Sequence, residues 1–282
     1  MPPSFSFSSG SPASSSAAGP TPVFADVVAE LRAAGCVFAE DEARLLLEAA
    51  DTPDRLATLV RRRADGLPLE HLLGWAEFCG LRIAVGPGVF VPRRRTEFLA
   101  GRAAGLARPG SVVVDLCCGS GAVAAAVAEA VPDVVLHAAD VEASAVHWAR
   151  HNVTTRGGRV HRGDLYGALP AELRGRVDVL VVNAPYVPTG SLGLMPPEAR
   201  DHEPRVALDG GADGLDVQRR VAAGAPDWLA PGGSLLIETG ERQSAGTLAA
   251  MTAAGLDARV ESCAELWATV VVGTLGDGGP DS

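Results

Sequence analysis

The spacing of apolar residues predicts a short helical region near the start of the chain. Four of them recur at helical spacing and share one face of a first helix: Phe24, Val27, Val28 and Leu31. Gly35 is expected to end that helix, and two further helices are predicted at about residues 40–50 and 54–64. Three short helices bury little apolar surface, so we expect a small helical domain over residues 23–66 that depends on the rest of the chain for stability.

Beyond residue 97 the pattern changes to short apolar runs that alternate with helical segments. The strand-like runs lie at residues 112–114, 134–138, 159–161, 177–182, 234–238, 257–263 and 267–273. Such alternation is typical of an α/β fold, because each helix connects two parallel strands and covers one face of their sheet. The pattern therefore predicts a doubly wound, mainly parallel sheet of seven strands over residues 97–275.

The segment between these regions, residues 67–96, is predicted to be a linker that contains a β-hairpin. Two strand-like pieces, residues 81–85 and 89–91, flank Gly86-Pro87-Gly88, which has the composition of a hairpin turn. Both ends of the chain are predicted to be tails. Residues 1–22 are rich in serine, proline, alanine and glycine and are expected to be disordered, and residues 276–282 form a short C-terminal tail.

The composition indicates a globular protein with an acidic balance. Hydrophobic residues make up 47% of the 282-residue chain, all 24 basic residues are arginine, and the formal net charge is −10. An acidic chain disfavours binding to phosphates, so direct nucleic-acid binding is not expected. The five cysteines lack zinc-site spacing, and no metal site is predicted. No apolar run reaches the length of a membrane span and the N-terminus lacks a signal-peptide pattern, so we expect a cytoplasmic protein without membrane contact.

The most informative polar residues are Asn183-Ala184-Pro185-Tyr186, directly after the apolar run 177–182. Open α/β sheets bind their ligands at the carboxyl ends of their strands. The Asn183 side-chain oxygen and nearby backbone carbonyls can accept hydrogen bonds from an NH₂ group, and Tyr186 can stack on a planar group. This combination suits methyl transfer to a planar amino or amide nitrogen. The alternative for an Asn-X-Pro sequence is an ordinary strand-ending turn.

Further polar residues follow the first three predicted strands. After the first strand they are Asp115, Cys117, Cys118, Gly119, Ser120 and Gly121. Glycines allow close approach of a ligand, and an acid before such a loop favours a cationic ligand such as S-adenosylmethionine over a pyrophosphate. Asp140 can accept from ribose hydroxyls, Asp164 can accept from an adenine amino group, and Leu165 can cover the ring. Each acid alone is typical of a helix cap or a solvated charge, but their order at consecutive strand ends favours a cofactor site.

With these residues the chain resembles the class I S-adenosylmethionine-dependent methyltransferases. More closely, it resembles the protein-(glutamine-N5) methyltransferases that modify peptide chain release factors, over about residues 40–272. The longest match is residues 203–215, Glu-Pro-Arg-Val-Ala-Leu-Asp-Gly-Gly-Ala-Asp-Gly-Leu. Asn183-Ala184-Pro185-Tyr186 matches the family's Asn-Pro-Pro-Tyr, residues 91–97 partly match Ile-Pro-Arg-Pro-Glu-Thr-Glu, and residues 73–78 resemble Leu-Gly-x-x-x-Phe.

The resemblance implies S-adenosylmethionine as cofactor and a protein glutamine as acceptor, with the Gly-Gly-Gln motif of a release factor as the suspected substrate. It also implies substrate recognition by the helical domain. Residues 117–121 would contact the methionine part of the cofactor, Asp140 the ribose and Leu165 the adenine, while Asn183 would touch both cofactor and substrate. In the catalytic segment 183–186, our hypothesis is that Asn183 Oδ1 and the Ala184 carbonyl accept the amide N–H bonds. Pro185 would then fix the loop and Tyr186 would exclude water.

Three positions depart from the family pattern. Cys117 replaces the first loop glycine, and a thiol is expected there only if φ is negative. Ala184 replaces the first proline, which keeps the carbonyl but loses the fixed φ. Arg94-Arg95 replace Pro-Glu, which exchanges an acid for positive charge. Alternatives therefore stay open: methylation of an exocyclic amino group of adenine or cytosine, methylation of a small molecule, or a catalytically silent cofactor-binding module. The sequence does not indicate an oligomeric state.

Overall fold

The computed structural model of the protein describes residues 22–277. The expected disordered N-terminal tail lies outside the described residues apart from Pro22, and so do residues 278–282 of the C-terminal tail. The chain divides into two compact units, one ending at Gly74 and the other beginning at Trp75. Within the described range, none of the helices combines the length and the apolar character needed to cross a membrane.

The first unit is helical. It consists of α1 (Pro22–Ala33), α2 (Ala39–Ala49), α3 (Pro53–Ala64) and α4 (Leu69–Leu73). The first three match the helices predicted from apolar spacing, and α4 lies in the segment that was expected to be a linker. α3 begins where Thr52 accepts a hydrogen bond from the Arg55 N–H and where Pro53 supplies the helical φ. The buried apolar residues of this unit form one small core: Val27, Val28, Leu31, Ala39, Ala43, Leu46, Leu59 and Val60.

The second unit is built on a seven-stranded sheet, as predicted. Its strands are β3 (Val112–Leu116), β4 (Val135–Asp140), β5 (Arg159–Arg162), β6 (Val177–Val182), β7 (Leu229–Thr239), β8 (Asp257–Cys263) and β9 (Ala268–Thr274), in the spatial order β5-β4-β3-β6-β7-β9-β8. Strands β3 to β7 run parallel to one another, and β9 runs antiparallel to both of its neighbours, β7 and β8. The predicted α/β class and the mainly parallel sheet are confirmed.

Helices cover both faces of this sheet. They are α5 (Thr96–Leu106), α6 (Ala122–Ala130), α7 (Ala143–Thr154), α9 (Asp216–Gly224) and α10 (Ser244–Ala253), and a short helix, α8 (Pro197–His202), lies in the connection between β6 and β7. Side chains alternate along each strand, so Val113 packs with α5, α6 and α7 on one face while Val114 packs with α9 and α10 on the other. Burial on both faces explains why the central strands are largely apolar.

The hairpin before the sheet differs from the prediction. β1 (Trp75–Phe78) pairs with β2 (Leu81–Ala84), and the turn is Cys79-Gly80 rather than Gly86-Pro87-Gly88. Both turn residues have positive φ, +50° for Cys79 and +75° for Gly80, as a two-residue hairpin turn that follows strand twist requires. Residues 85–91 form no strand, so the expected partner strand at 89–91 was wrong. Cysteine is an unusual turn residue, which is why the composition pointed to the wrong turn.

Candidate functional site

A cavity of about 300 Å³ opens at the carboxyl ends of the parallel strands. Nearly all of the predicted site residues line it: Asp115, Cys117, Cys118, Gly119, Ser120, Asp140, Asp164, Leu165, Asn183, Ala184, Pro185 and Tyr186. Residues from strand ends far apart in sequence meet here because parallel strands end at the same edge of the sheet.

Gly121 is the predicted site residue that does not line the cavity. It has a φ of +76°, and a Cβ atom at this position would lie 2.6 Å from Val153 Cγ2 and 3.3 Å from the Ala149 Cα. Glycine is therefore needed here so that the start of α6 can pack closely against α7. Through this packing Gly121 fixes the loop from behind.

The backbone at Cys117 is left-handed. Its φ is +55°, so the expectation that a thiol requires a negative φ was wrong. The loop keeps the conformation that suits glycine, at a strain of roughly 1–2 kcal/mol for a side chain with a Cβ. Leu165, which also lines the cavity, has a positive φ of +45° as well. Strained residues of this kind cluster at functional sites, where the surrounding structure holds them in place.

Asp115 is a buried carboxyl group at the end of β3, only 2% exposed. Its Oδ2 accepts a hydrogen bond of 3.1 Å from the Ala124 N–H at the start of α6. Burial raises the pKa of Asp115 to about 8, and the nearby Asp140 carboxylate adds to the increase. A cation bound beside Asp115 would favour the ionised form, so this position fits a ligand that carries a positive charge.

Asp140 joins the glycine-containing loop to the next strand. Its Oδ2 accepts a 2.9 Å hydrogen bond from the Gly119 N–H, and its Oδ1 accepts one of 2.9 Å from the Glu142 N–H. Burial raises the pKa of Asp140, and the two backbone donors oppose that rise. Gly119 has a φ of +53°, and no atom lies within 4 Å of where its Cβ would be. The Gly119 Cα therefore borders open space in the cavity.

Asp164 already has a protein partner. Arg220 Nη2 donates to Asp164 Oδ2 at 2.6 Å, with both side chains more than half exposed. Arg220 lies in α9 and also lines the cavity. No pattern in the sequence indicated Arg220, because it lies 56 residues from Asp164 and on an element that follows a different strand.

The orientation of Asn183 is set by Thr96, the first residue of α5. Asn183 Nδ2 donates to Thr96 Oγ1 at 3.3 Å, and Thr96 also lowers the pKa of the buried Glu238 carboxyl group, which burial raises. The hydroxyl oxygen of Thr96 can accept a hydrogen bond from an NH₂ group, as it does here. Asn183 therefore uses its NH₂ group on the protein, and its Oδ1 is left as an acceptor for a ligand.

Tyr186 contacts two groups that the sequence did not indicate. Its hydroxyl lies 3.5 Å from Glu238 Oε1, and the Arg95 guanidinium carbon lies 5.7 Å from the centre of its ring. Burial raises the pKa of Tyr186, so the ring stays a neutral phenol at physiological pH. Arg95 Nε also donates to Glu238 Oε1 at 3.3 Å, which joins the three side chains in one network.

The matched segment 203–215 holds the loop 183–187 from outside. The Val187 N–H donates to the Leu208 carbonyl and the Gly210 N–H donates to the Val187 carbonyl, both at 2.9 Å. A Cβ at Gly210 would lie 2.7 Å from the Pro185 carbonyl oxygen, and one at Gly214 would lie 2.2 Å from that of Tyr186. These glycines are required because two backbones touch, which gives the segment a structural role beside the site.

Glu203, the first residue of that segment, is buried and lies behind Arg93. Its Oε1 accepts from Arg93 Nη2 at 2.6 Å and from the Val91 N–H at 3.2 Å. Burial raises the pKa of Glu203, whereas Arg93 and the Val91 N–H lower it. The segment 203–215 therefore also ties the residues before α5 to the site.

The arrangement offers hydrogen-bond acceptors and a water-excluding aromatic ring beside a cleft that suits a cation. The Cys117 and Cys118 thiols are unsuited to act as nucleophiles, because burial raises the pKa of both well above its usual value. The geometry therefore fits direct transfer of a group between two bound molecules.

Comparisons with known proteins agree with this interpretation. Residues 83–193 match the methyltransferase small domain family. The chain is 42% identical over 198 residues to a release factor glutamine methyltransferase of Streptomyces coelicolor, covering 69% of this chain and 70% of the relative. It is also 39% identical over 214 residues to a 4-amino-L-phenylalanine/4-methylamino-L-phenylalanine methyltransferase of Streptomyces pristinaespiralis, covering 73% of each.

A solved structure shows the same fold. The crystal structure of a methyltransferase from Pyrococcus furiosus aligns with 80% of this chain and 100% of its own, with a TM-score of 0.53 and 18% sequence identity. At that identity the likeness concerns the fold alone.

Proposed function

The chain belongs to the family of release factor glutamine methyltransferases, which use S-adenosylmethionine, and from this premise we propose that it methylates the side-chain amide nitrogen of a glutamine in a protein. We further propose the Gly-Gly-Gln motif of a peptide chain release factor as the acceptor and the cytoplasm as the place of action. The observation that carries the proposal is the orientation of Asn183, whose Oδ1 is left for a ligand NH₂ group.

The residues at one end of the cavity fit the cofactor. Asp115 would hold its positively charged part, since a buried carboxyl group with a raised pKa gains most from a cation. Asp140 would accept from the ribose hydroxyls, and Leu165 would cover the adenine. Asp164 would share its carboxylate between Arg220 and the adenine amino group. Bound there, S-adenosylmethionine supplies an electrophilic methyl group.

At the other end, the loop 183–186 would hold the acceptor. Asn183 Oδ1 and the Ala184 carbonyl would accept the two N–H bonds of the glutamine amide, which fixes the nitrogen and stabilises the positive charge that develops on it. Pro185 would keep the loop in place, while Tyr186 would cover the planar amide and exclude water. None of these residues needs to remove a proton before transfer. The helical unit would recognise the acceptor protein.

The test is methyl transfer to a release-factor fragment that contains Gly-Gly-Gln. We expect a mass gain of one methyl group on the glutamine, and no gain on the same fragment with glutamate in place of the glutamine. Asn183→Ala should lower turnover on the order of 10²-fold or more while leaving S-adenosylhomocysteine affinity nearly unchanged. Near-normal turnover by this variant would contradict the role of Asn183.

Tritiated cofactor separates the alternatives in the same assay. Label that passes to DNA or RNA, or only to a free amine such as 4-amino-L-phenylalanine, would refute a protein acceptor. Label that passes to none of these acceptors while the cofactor still binds would indicate a module that binds S-adenosylmethionine without transferring its methyl group.

A further inference from the structure

Two arginine side chains border the acceptor end of the cavity. Arg93 and Arg95 both line it, beside Asn183 and Tyr186, and their side chains are 35% and 44% exposed. The acids that line the cavity, Asp115, Asp140, Glu142 and Asp164, come from the ends of β3, β4 and β5 and thus from the cofactor side. Arg220, the third arginine that lines the cavity, pairs with Asp164 among these four acids, so the two ends still differ in the charge that they display.

Each arginine is held by a carboxylate hidden from the cavity. Arg93 Nη2 donates to Glu203 Oε1 at 2.6 Å, and Arg95 Nε donates to Glu238 Oε1 at 3.3 Å. The two glutamate side chains are only 1% and 2% exposed, and neither lines the cavity. The acids fix the arginines from behind, so a ligand at this end meets N–H donors and not the carboxylates that balance them.

Aromatic rings restrain the same two side chains. The Arg93 guanidinium carbon lies 4.8 Å from the centre of the Phe90 ring, and that of Arg95 lies 5.7 Å from the centre of the Tyr186 ring. In the described part of the chain, Arg95 uses only its Nε on a protein acceptor. A guanidinium group that is stacked and tethered in this way keeps its terminal N–H groups pre-ordered for a planar anion.

We propose that Arg95, assisted by Arg93, binds a carboxylate of the methyl acceptor, next to the NH₂ group that is methylated. This inference rests on the proposed function, since it places the anion beside the amide at Asn183. It also gives a role to Arg95, which stands where the family pattern has glutamate. The carboxylate has two possible sources, an acidic residue adjacent to the glutamine in a protein, or the α-carboxylate of a free amino acid.

The test measures binding by calorimetry to enzyme saturated with S-adenosylhomocysteine, so that no turnover occurs. One pair of ligands is a blocked Gln-Asp peptide and its Gln-Asn counterpart. The other pair is L-glutamine and L-glutamine amide, which lacks the α-carboxylate. We expect the acid to bind roughly tenfold or more tightly than its neutral counterpart in one pair, which identifies the source. No preference in either pair would overturn the proposal.

Variants assign the preference to the site. Arg95→Gln should reduce the affinity ratio between the acid and its neutral counterpart to about one. Arg94→Gln should preserve this ratio, because Arg94 is exposed and does not line the cavity. Both substitutions remove one positive charge, so an equal loss in both would attribute the preference to general electrostatics and refute the subsite. Arg95→Lys keeps the charge and should retain part of the preference. If the Arg95→Lys variant prefers the acid as little as the Arg95→Gln variant does, the proposal is contradicted.

The carboxylate subsite and the proposed glutamine methylation can be refuted independently of each other. If the carboxylate preference is found but glutamine in the peptides is never methylated, the acceptor group is not glutamine and the subsite remains. If the Gly-Gly-Gln fragment is methylated efficiently and no acid is preferred, the glutamine assignment remains and the subsite is refuted.

Discussion

Asn183 donates its side-chain NH₂ to the hydroxyl oxygen of Thr96, 87 residues earlier in the chain, at 3.3 Å. Thr96 is 3% exposed and begins α5, so this contact links the loop after β6 to a helix that packs on one face of the sheet. In the proposed reaction, this contact would decide which end of the Asn183 amide faces the acceptor. Thr96 is therefore a positioning residue for the proposed reaction.

Thr96→Val should remove that acceptor while preserving the shape of the side chain. The Asn183 amide would then be free to turn, and we expect kcat to fall on the order of tenfold or more with little change in KM for S-adenosylmethionine. Steady-state kinetics on the accepted peptide measure both. Thr96→Ser keeps the hydroxyl and should restore kcat. If the serine variant is as slow as the valine variant, Thr96 acts through packing and not through Asn183.

Cofactor binding should release protons near neutral pH. The pKa of Asp115 is raised to about 8 in the free protein, so at pH 7 its carboxyl group is largely protonated, and a cationic ligand favours its ionised form. Calorimetry of S-adenosylmethionine binding at pH 7 without an acceptor, in buffers with different ionisation enthalpies, should show a release of up to about one proton from this group. Asp115→Asn should release fewer. Equal release by both proteins would contradict the assignment.

The left-handed backbone at Cys117 should be visible in stability. Cys117→Gly relieves the strain and Cys117→Ala keeps it, so the glycine variant should have a free energy of unfolding about 0.5–1 kcal/mol higher in urea denaturation. Cys118 provides the matched control, because it is not among the residues with positive φ. At position 118 the alanine variant should be more stable than the glycine variant. An alanine variant at 117 as stable as the glycine variant would argue against strain.

Acid should weaken the fold through a buried histidine pair. His137 Nδ1 and His161 Nε2 are 2.9 Å apart. Burial lowers the pKa of His137 to about 4, and the neighbouring His161 adds to this decrease. Between about pH 4 and the usual histidine pKa near 6.5, the unfolded chain binds more protons than the folded one. The free energy of unfolding contributed by His137 should therefore fall as the pH is lowered through this window.

Urea denaturation of His137→Asn at several pH values tests this. The variant should lose less stability on acidification than the wild type, whereas His151→Asn, which changes an exposed histidine in α7, should behave like the wild type. Parallel pH profiles for all three proteins would rule out His137 as the titrating group.

Local pattern was enough to predict much of the fold. The mostly apolar run at residues 177–182 coincides with β6, because a strand buried on both faces of a sheet is largely apolar along its length. The order of Asp115, Asp140 and Asn183 at strand ends was enough to place them in one cavity, since parallel strands end at one edge. Both inferences use only short-range sequence and the geometry of a parallel sheet.

The tertiary structure decided what depends on contacts between distant segments. Arg93 meets Glu203 across 110 residues and Arg95 meets Glu238 across 143, and no spacing in the sequence indicates such pairs. The backbone angle at Cys117 is likewise imposed by its surroundings, because an isolated cysteine prefers negative φ. The chain by itself therefore determined the strands of its seven-stranded sheet and the edge of that sheet where the predicted site residues lie. Only packing determined how Asn183 is turned and which charged side chains line the cavity, since these depend on side chains brought together from distant parts of the chain.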